Sequence, residues 1–289
     1  MRTLINRIAT FGRMIKFSHT LFALPFALTS VALASFAGRI TFYKMTWILV
    51  AMVGARSAAM GFNRIADREY DSKNPRTKDR EIPTSKISVL EASLFVAIAA
   101  LLLVYAAYRL NRLCFYLSPV ALAVVFFYSF TKRFTWLSHI FLGIGMGLAP
   151  VGAWLGITGE FNLVAVLLGF AVVAWGAGFD IIYACQDLGY DDEVGLFSMP
   201  RNLGVKKALK VSTLLHIVSF FLLVSLRFIL PLGVVYLVGL LLVAGVLAYQ
   251  HAIVRPDDLS KINFAFFNLN AYLSVGLFLF TLVDVVTGM

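Results

Sequence analysis

The sequence predicts an all-α membrane protein. Nine transmembrane helices are expected, with a polar site at the cytoplasmic ends of helices 2, 4 and 6. Three observations carry this. Of 289 residues, 60% are hydrophobic and 14% charged, whereas a soluble domain has about 45–50% apolar and about 25% charged residues. The apolar residues fall in runs of about 18–22, the length an α-helix needs to cross a hydrocarbon core of about 30 Å. The acidic residues gather at the ends of a few runs. Alternating ten-residue strands, the mark of a membrane β-barrel, are absent. The chain, 1–289, reads as one polytopic domain.

Residues 1–17 read as an interfacial amphipathic segment, with Leu4, Ile5, Ile8, Phe11 and Ile15 set against Arg2, Arg7, Arg13 and Lys16. The first span covers 18–37 and is long enough to cross rather than to be cleaved as a signal peptide. The second, 45–65, runs into the longest polar stretch, 67–86. Further spans follow at 87–108, 113–130, 138–157, 163–184, 208–226, 229–250 and 265–286. The glycines at 143, 145 and 147 follow no strand and precede no Lys-Ser/Thr, so they read as close helix packing rather than a phosphate loop. Cys114 and Cys185 have no metal-ligand spacing and read as small buried apolar groups. His19, His139, His216 and His251 form no cluster in the sequence and read as structural or interfacial.

Orientation follows from Lys and Arg. Nineteen lie on the side of the N-terminus and five on the other (Arg39, Lys44, Arg109, Arg112 and Arg227), with Arg56 inside span two. The N-terminus is therefore cytoplasmic and the C-terminus outside, in an inner (cytoplasmic) membrane. The net charge of +10 sits in short loops, where it sets topology and meets lipid headgroups. Membrane lipid is thus a partner and nucleic acid is not.

Two acidic stretches end even-numbered spans. Asn63, Asp67 and Asp71 recur at i, i+4 and i+8 and share one helix face. Like charges at that spacing repel, so a cation must relieve them. Asp187 and Asp191 repeat the Asp-x-x-x-Asp spacing. Six of the fifteen acids fall in 67–91 and five in 180–193. Mg²⁺ suits such sites, being a hard ion that bridges one or two carboxylates to substrate phosphates. Asp67 and Asp71 would hold one metal, Asp187 and Asp191 another. The neighbouring Arg64, Arg68, Lys73, Arg76, Lys78, Arg80, Lys132 and Arg133 suit a polyanion such as diphosphate. The apolar helices suit a lipid tail. Asp180 and Arg56 lie inside apolar runs, where ionisable groups are costly and functional by default.

At these residues the chain resembles the UbiA superfamily of intramembrane aromatic prenyltransferases. The family's Asn-x-x-x-Asp-x-x-x-Asp motif matches Asn63, Asp67 and Asp71. Its second motif matches Asp187 and Asp191, preceded by Tyr183-Ala184. Its Tyr-x-x-x-Lys motif matches Tyr128 and Lys132. Its arginine-rich loop matches Arg76-Thr77-Lys78-Asp79-Arg80-Glu81-Ile82-Pro83-Thr84, and Arg56 stands where the 4-hydroxybenzoate branch has an arginine. Lys16-Phe17-Ser18-His19-Thr20 and Gly195-Leu196-Phe197-Ser198-Met199-Pro200 are similar to that branch too. The interior of the second motif, Leu188-Gly189-Tyr190, departs from the Arg-Asp-Asp frequent there.

The resemblance implies nine helices round a cavity and Mg²⁺-dependent transfer of a polyprenyl group from its diphosphate to an aromatic acid. The expected acceptor is 4-hydroxybenzoate, of the ubiquinone route; a carboxylated dihydroxynaphthoate of a menaquinone route is the alternative. Lys132, Arg76 and nearby cations would neutralise the leaving diphosphate. Asp180 or Asp191 would take the ring proton, and Arg56 or Arg133 would pair with the acceptor carboxylate. Two rivals fit less well. A secondary transporter would place its charges nearer the midplane. A CDP-alcohol phosphatidyltransferase would need an Asp-Gly ahead of Gly54, Ala55-Arg56 and Asp67, and would leave the second acidic stretch idle.

Overall fold

The computed structural model describes residues 2–16 and 20–288. Phe17, Ser18 and His19 lie outside them, as does the start of the expected first span. The described chain is built from helices: α1 (Arg2–Met14), α2 (Thr20–Ala34), α3 (Phe42–Ala66), α4 (Arg68–Lys73), α5 (Val89–Leu110), α6 (Arg112–Thr131) and α7 (Ser138–Thr158). These are followed by α8 (Leu163–Ala184), α9 (Leu188–Val194), α10 (Met199–Leu203), α11 (Val205–Leu226), α12 (Val234–Ile253), α13 (Ile262–Phe264) and α14 (Asn270–Gly288). Between α13 and α14 runs a π-helical turn, Ala265–Leu269.

Eight helical stretches among the described residues are long and apolar enough to cross a membrane, which makes this a multi-pass integral membrane protein. They are α3, α5, α6, α7, α8 with its extension to Val194, α11, α12, and the continuous stretch Ile262–Gly288. The predicted first span corresponds to α2, a shorter 15-residue helix with Pro25 inside it. The run expected at 229–250 is displaced: α12 starts at Val234. Pro231 disfavours helix in the residue before it, so 227–233 turns instead.

The chain divides into two compact units: Met1–Thr20 with Met45–Phe130, and Leu21–Lys44 with Thr131–Met289. In the first, α1 does more than lie at an interface. Its Met14 joins Ile15, Ile82, Ile87 and Ala92 in a buried cluster flanked by Phe11, Met60, Ile65 and Phe95. The Phe11 and Phe95 rings stack at 5.1 Å. Two arginines eight apart on α3 hold the end of α1: Arg64 Nε donates to the Met14 carbonyl at 3.0 Å and Arg56 Nη2 to the Lys16 carbonyl at 3.4 Å. The last carbonyls of a helix lack partners within it and carry partial negative charge, so cations belong there. Lys16 leaves the helix at φ 45°. On α5, Ser88 and Glu91 form a reciprocal capping box.

In the second unit α7 and α8 form a tight antiparallel pair. A Cβ at Gly143 would lie 2.3 Å from the Val173 carbonyl oxygen, and one at Gly147 2.8 Å from that of Gly169, so the glycine run is helix packing. α11 is tied to α8 by Ser212 and Ser219, whose hydroxyls donate to the Gly178 and Ala171 carbonyls at 2.7 and 2.8 Å. Asp284, the acid of α14, caps α12 from outside: its carboxylate accepts the backbone N–H of Gly233 at 2.7 Å and of Tyr236 at 3.0 Å. Cys114 and Cys185 are free and buried.

Two of the four histidines depart from the expectation of no cluster: His216 and His251 are paired. His216 Nδ1 lies 2.8 Å from His251 Nε2, His216 Nε2 is 3.3 Å from the Trp175 carbonyl, and Thr213 Oγ1 is 3.2 Å from His251 Nδ1. His139 contacts Asp180. Positions 216 and 251 lie far apart in the sequence, and only the packing of α11 beside α12 brings them together.

Candidate active site

The first acidic stretch sits where α3 hands over to α4. Asp67 breaks the regular helix, yet its N–H reaches the Asn63 carbonyl at 2.9 Å and the Asp71 N–H reaches the Asp67 carbonyl at 2.8 Å. The i, i+4, i+8 stripe therefore survives the break. Asp67 and Asp71 are 3% and 5% exposed, so their charge cannot be left to water and must meet partners. Asn63 Nδ2 donates to Asp67 Oδ2 at 3.0 Å. Arg80 Nη1 donates to both oxygens of Asp71 at 2.7 Å. Thr77, in the loop that delivers Arg80, donates its hydroxyl to the Asp71 carbonyl at 3.1 Å.

More cations of this unit converge on the same place. Arg64 is buried and feels the charge of Arg80, Asp71, Glu81 and Asp67. Burial, with repulsion from Arg64, Arg80 and Arg76, lowers the Lys16 ammonium to about 8. Lys16 was not among the site residues read from the sequence; its distance from the stripe along the chain hid it. Arg68 is not drawn in. It is exposed, donates to the Ile65 carbonyl and pairs with Glu69 at 3.1 Å. Arg56 is partly buried inside α3, and its Nε has no hydrogen-bond partner among the described residues. Tyr128, on the last turn of α6, is also half-buried.

The second acidic stretch sits in the other unit, where a 3₁₀ turn, Cys185–Asp187, joins α8 to α9. The Ser198 side chain hydrogen-bonds the Asp191 carboxylate, which also feels Asp187, Lys132 and His139. Gly195, in the left-handed region at φ 75°, ends α9 and turns the chain back, so that Phe197 N–H donates to the Lys132 carbonyl at 2.8 Å. Lys132 and Arg133 are half-buried. Tyr183, one turn before Asp187, stacks on Phe266 of the π turn at 3.9 Å, beside Phe267. Asp180 receives His139 Nδ1 at 2.6 Å.

The residues singled out by sequence divide between the units: Arg56, Asn63, Arg64, Asp67, Arg68, Asp71, Arg76, Arg80 and Tyr128 in one, Lys132, Arg133, Asp180, Tyr183, Asp187 and Asp191 in the other. Among the described residues, no three His, Cys, Asp or Glu side chains form a cage that could hold a metal unaided. The donor set of Asp67 and Asp71, hard carboxylate oxygens beside guanidinium groups, still fits Mg²⁺, which commonly relies on one or two carboxylates plus phosphate oxygens.

Fold and site together define a polytopic helical membrane protein with buried carboxylates among cations. The pattern of the UbiA prenyltransferase family matches residues 23–272, and the chain belongs to that family. It is a prenyltransferase, an enzyme of the alkyl- and aryl-transfer type. A 4-hydroxybenzoate octaprenyltransferase of Cupriavidus necator is 30% identical over 284 residues, 97% of this chain and 98% of the relative. One from Tolumonas auensis is 30% identical over 215 residues, 74% of this chain and 75% of the relative. The apo structure of a UbiA homologue from Aeropyrum pernix has a TM-score of 0.80 and 30% identity, covering 94% of this chain and 98% of its own. A UbiA homologue from Archaeoglobus fulgidus bound to DMAPP and Mg²⁺ shares the fold, with a TM-score of 0.70 at 21% identity over 95% of this chain and 99% of its own.

Proposed function

We propose that this enzyme transfers a polyprenyl group from polyprenyl diphosphate to the ring of an aromatic acid, with 4-hydroxybenzoate as the acceptor and Mg²⁺ as the cofactor. The observation that carries this is the pair of buried carboxylates Asp67 and Asp71, with Arg80 bonded to Asp71, Arg64 within their electrostatic reach and Lys16 in the field of both arginines. Carboxylates alone would suit a cation and cations alone an anion; the mixture suits a metal diphosphate. The near full-length likeness to 4-hydroxybenzoate octaprenyltransferases supports the acceptor. Asp67 and Asp71 would hold metal in one unit, and Asp187 and Asp191 in the other. In this reading α2 is the ninth span, the N-terminus is cytoplasmic and the C-terminus outside.

Bound Mg²⁺ would neutralise charge on the diphosphate. Lys132, Arg76, Arg80 and Lys16 add fixed positive charge where the leaving group becomes negative. Asn63 orients Asp67. The allylic C–O bond breaks, and the apolar helices keep water from the electron-poor carbon. The ring carbon ortho to the acceptor hydroxyl forms the new C–C bond. The proton on that carbon passes to a carboxylate, Asp180 or Asp191. Arg56, with an unmatched buried N–H, or Arg133 pairs with the acceptor carboxylate, and Tyr128 and Tyr183 line the substrates' path. A carboxylated dihydroxynaphthoate is the second reading, because the interior of the second motif, Leu188-Gly189-Tyr190, departs from the Arg-Asp-Asp frequent in the 4-hydroxybenzoate branch. The test is prenyl transfer by the purified enzyme with labelled polyprenyl diphosphate, Mg²⁺ and each acid in turn. Product with hydroxybenzoate supports the first reading, and product with naphthoate alone the second. No product with either acid refutes aromatic prenylation.

A further inference from the structure

His139 sits in the first turn of α7, 3% exposed. Its two ring nitrogens have different partners. Nδ1 lies 2.6 Å from Asp180 Oδ2, and Nε2 lies 3.2 Å from the backbone nitrogen of Met199. A backbone N–H can only donate, so Nε2 must be bare and accept. A neutral ring then carries its hydrogen on Nδ1 and donates it to Asp180. The partners fix the tautomer without appeal to any titration.

What lies on each side of the ring gives this a purpose. Asp180 is one of the two carboxylates able to take the ring proton. Its Oδ2 is held by His139, while Oδ1 takes no hydrogen bond among the described residues, and the side chain is 18% exposed. Met199 ends a three-residue segment that fastens the rest of this half-site. Phe197 N–H binds the Lys132 carbonyl, and the Ser198 side chain binds Asp191. His139 therefore links Asp180 to the segment that places Asp191 and Lys132.

We propose that His139 is a positioning residue that holds Asp180, with Oδ1 directed to the acceptor, as the group that receives the ring proton. This rests on the aromatic prenylation proposed above. In that step the C–H bond of the newly alkylated ring carbon breaks. Its electron pair restores the aromatic ring, the proton goes to Asp180 Oδ1, and His139 keeps its own hydrogen throughout. Asp191 is left to the metal.

The test uses the full-length enzyme in nanodiscs with three variants. His139→Leu removes both polar contacts. His139→Gln keeps one donor and one acceptor at a separation close to that of the two ring nitrogens. Asp180→Asn removes the base. His139→Leu should lower kcat roughly 10- to 100-fold, the scale of a misplaced catalytic group, with KM for both substrates little changed. His139→Gln should recover turnover to within a few-fold. His139→Leu combined with Asp180→Asn should be no slower than Asp180→Asn alone, because the histidine acts through the carboxylate. Nitrogen NMR of labelled histidine, assigned by the signal lost in His139→Gln, should show one protonated and one bare nitrogen. Independent, multiplying losses in the double variant, or wild-type kcat in His139→Leu, would overturn the proposal. So would a ring protonated on both nitrogens in an active enzyme. A purely structural histidine would lower the melting temperature without the kcat-specific loss. A wild-type enzyme inactive with every aromatic acid would instead take down the proposed reaction, and this assignment with it.

Discussion

Arg80 stands where a metal would be expected. Its Nη1 bridges both oxygens of Asp71 at 2.7 Å, with side chains 19% and 8% exposed. Replacing Arg80 with methionine keeps much of the stem and removes the charge, leaving the Asp71 carboxylate buried without that cation. Removing one partner of a buried ion pair costs about 3–5 kcal/mol. Arg80 retains some contact with water, so the low end, about 3 kcal/mol, applies. At roughly 2–4 °C per kcal/mol for a chain of this size, the metal-free variant should melt about 6–12 °C below wild type. A cation that binds Asp71 should restore much of this, since a ligand of the folded state stabilises it by mass action. Thermal unfolding in detergent, with and without millimolar Mg²⁺, measures both. The expected outcome is a larger Mg²⁺-induced rise in Arg80→Met than in wild type, together with slower prenyl transfer because the leaving diphosphate has lost a cation. Equal Mg²⁺ stabilisation of the two proteins would refute the idea that Arg80 and the metal share Asp71.

Asp67→Asn and Asp191→Asn should each nearly abolish turnover while melting close to wild type; full activity in either purified variant would remove that carboxylate from the metal site. Lys16 titrates near 8 in the fold against 10.5 when unfolded. Between those values the unfolded chain holds more protons, so stability should rise as pH climbs from about 8 towards 10.5 and be flat with respect to this group below about 8, where both states are protonated. Lys16→Met should flatten that part of a melting-temperature profile, and inorganic diphosphate should do so in wild type. Gly143→Ala would set a Cβ 2.3 Å from the Val173 carbonyl oxygen; parting α7 from α8 by about 1 Å should cost about 1–3 kcal/mol and, by stretching the His139–Asp180 contact, slow turnover as well. Asp284→Ala strips the cap from α12 and should cost about 1–2 kcal/mol in thermal unfolding, with catalysis in the surviving protein unchanged.

The spans were legible because a membrane imposes one simple requirement, about twenty apolar residues in helix. α8 at 163–184 needed no adjustment. The misplaced end of α12 and the shortened α2 mark the limits of that requirement. Hydropathy does not distinguish an apolar loop from an apolar helix, and Leu230-Pro231-Leu232-Gly233 is as apolar as the helix after it. The interfacial reading of 1–17 missed the side of α1 that packs under Ile82 and Ile87, because amphipathicity reports that a face is buried without saying against what.

The acidic stripe was legible for the same kind of reason: helical spacing puts Asn63, Asp67 and Asp71 together whatever the tertiary structure. Its resolution was not. The repulsion within the stripe pointed to an external cation, yet in the fold Asn63 satisfies Asp67 and Arg80 neutralises Asp71, nine residues downstream. An arginine-rich loop beside aspartates therefore has two meanings that sequence alone does not separate. It can be a diphosphate clamp, or it can be the counter-charge that lets buried carboxylates exist before metal arrives. In the proposed reaction one loop would serve both in turn. Buried acids without a resident cation would be costly, and cations without acids would leave Lys16, Arg64 and Arg80 to repel one another. Each set makes the other tolerable in the membrane protein at rest, and a metal diphosphate, carrying both signs, can exchange partners with both at once.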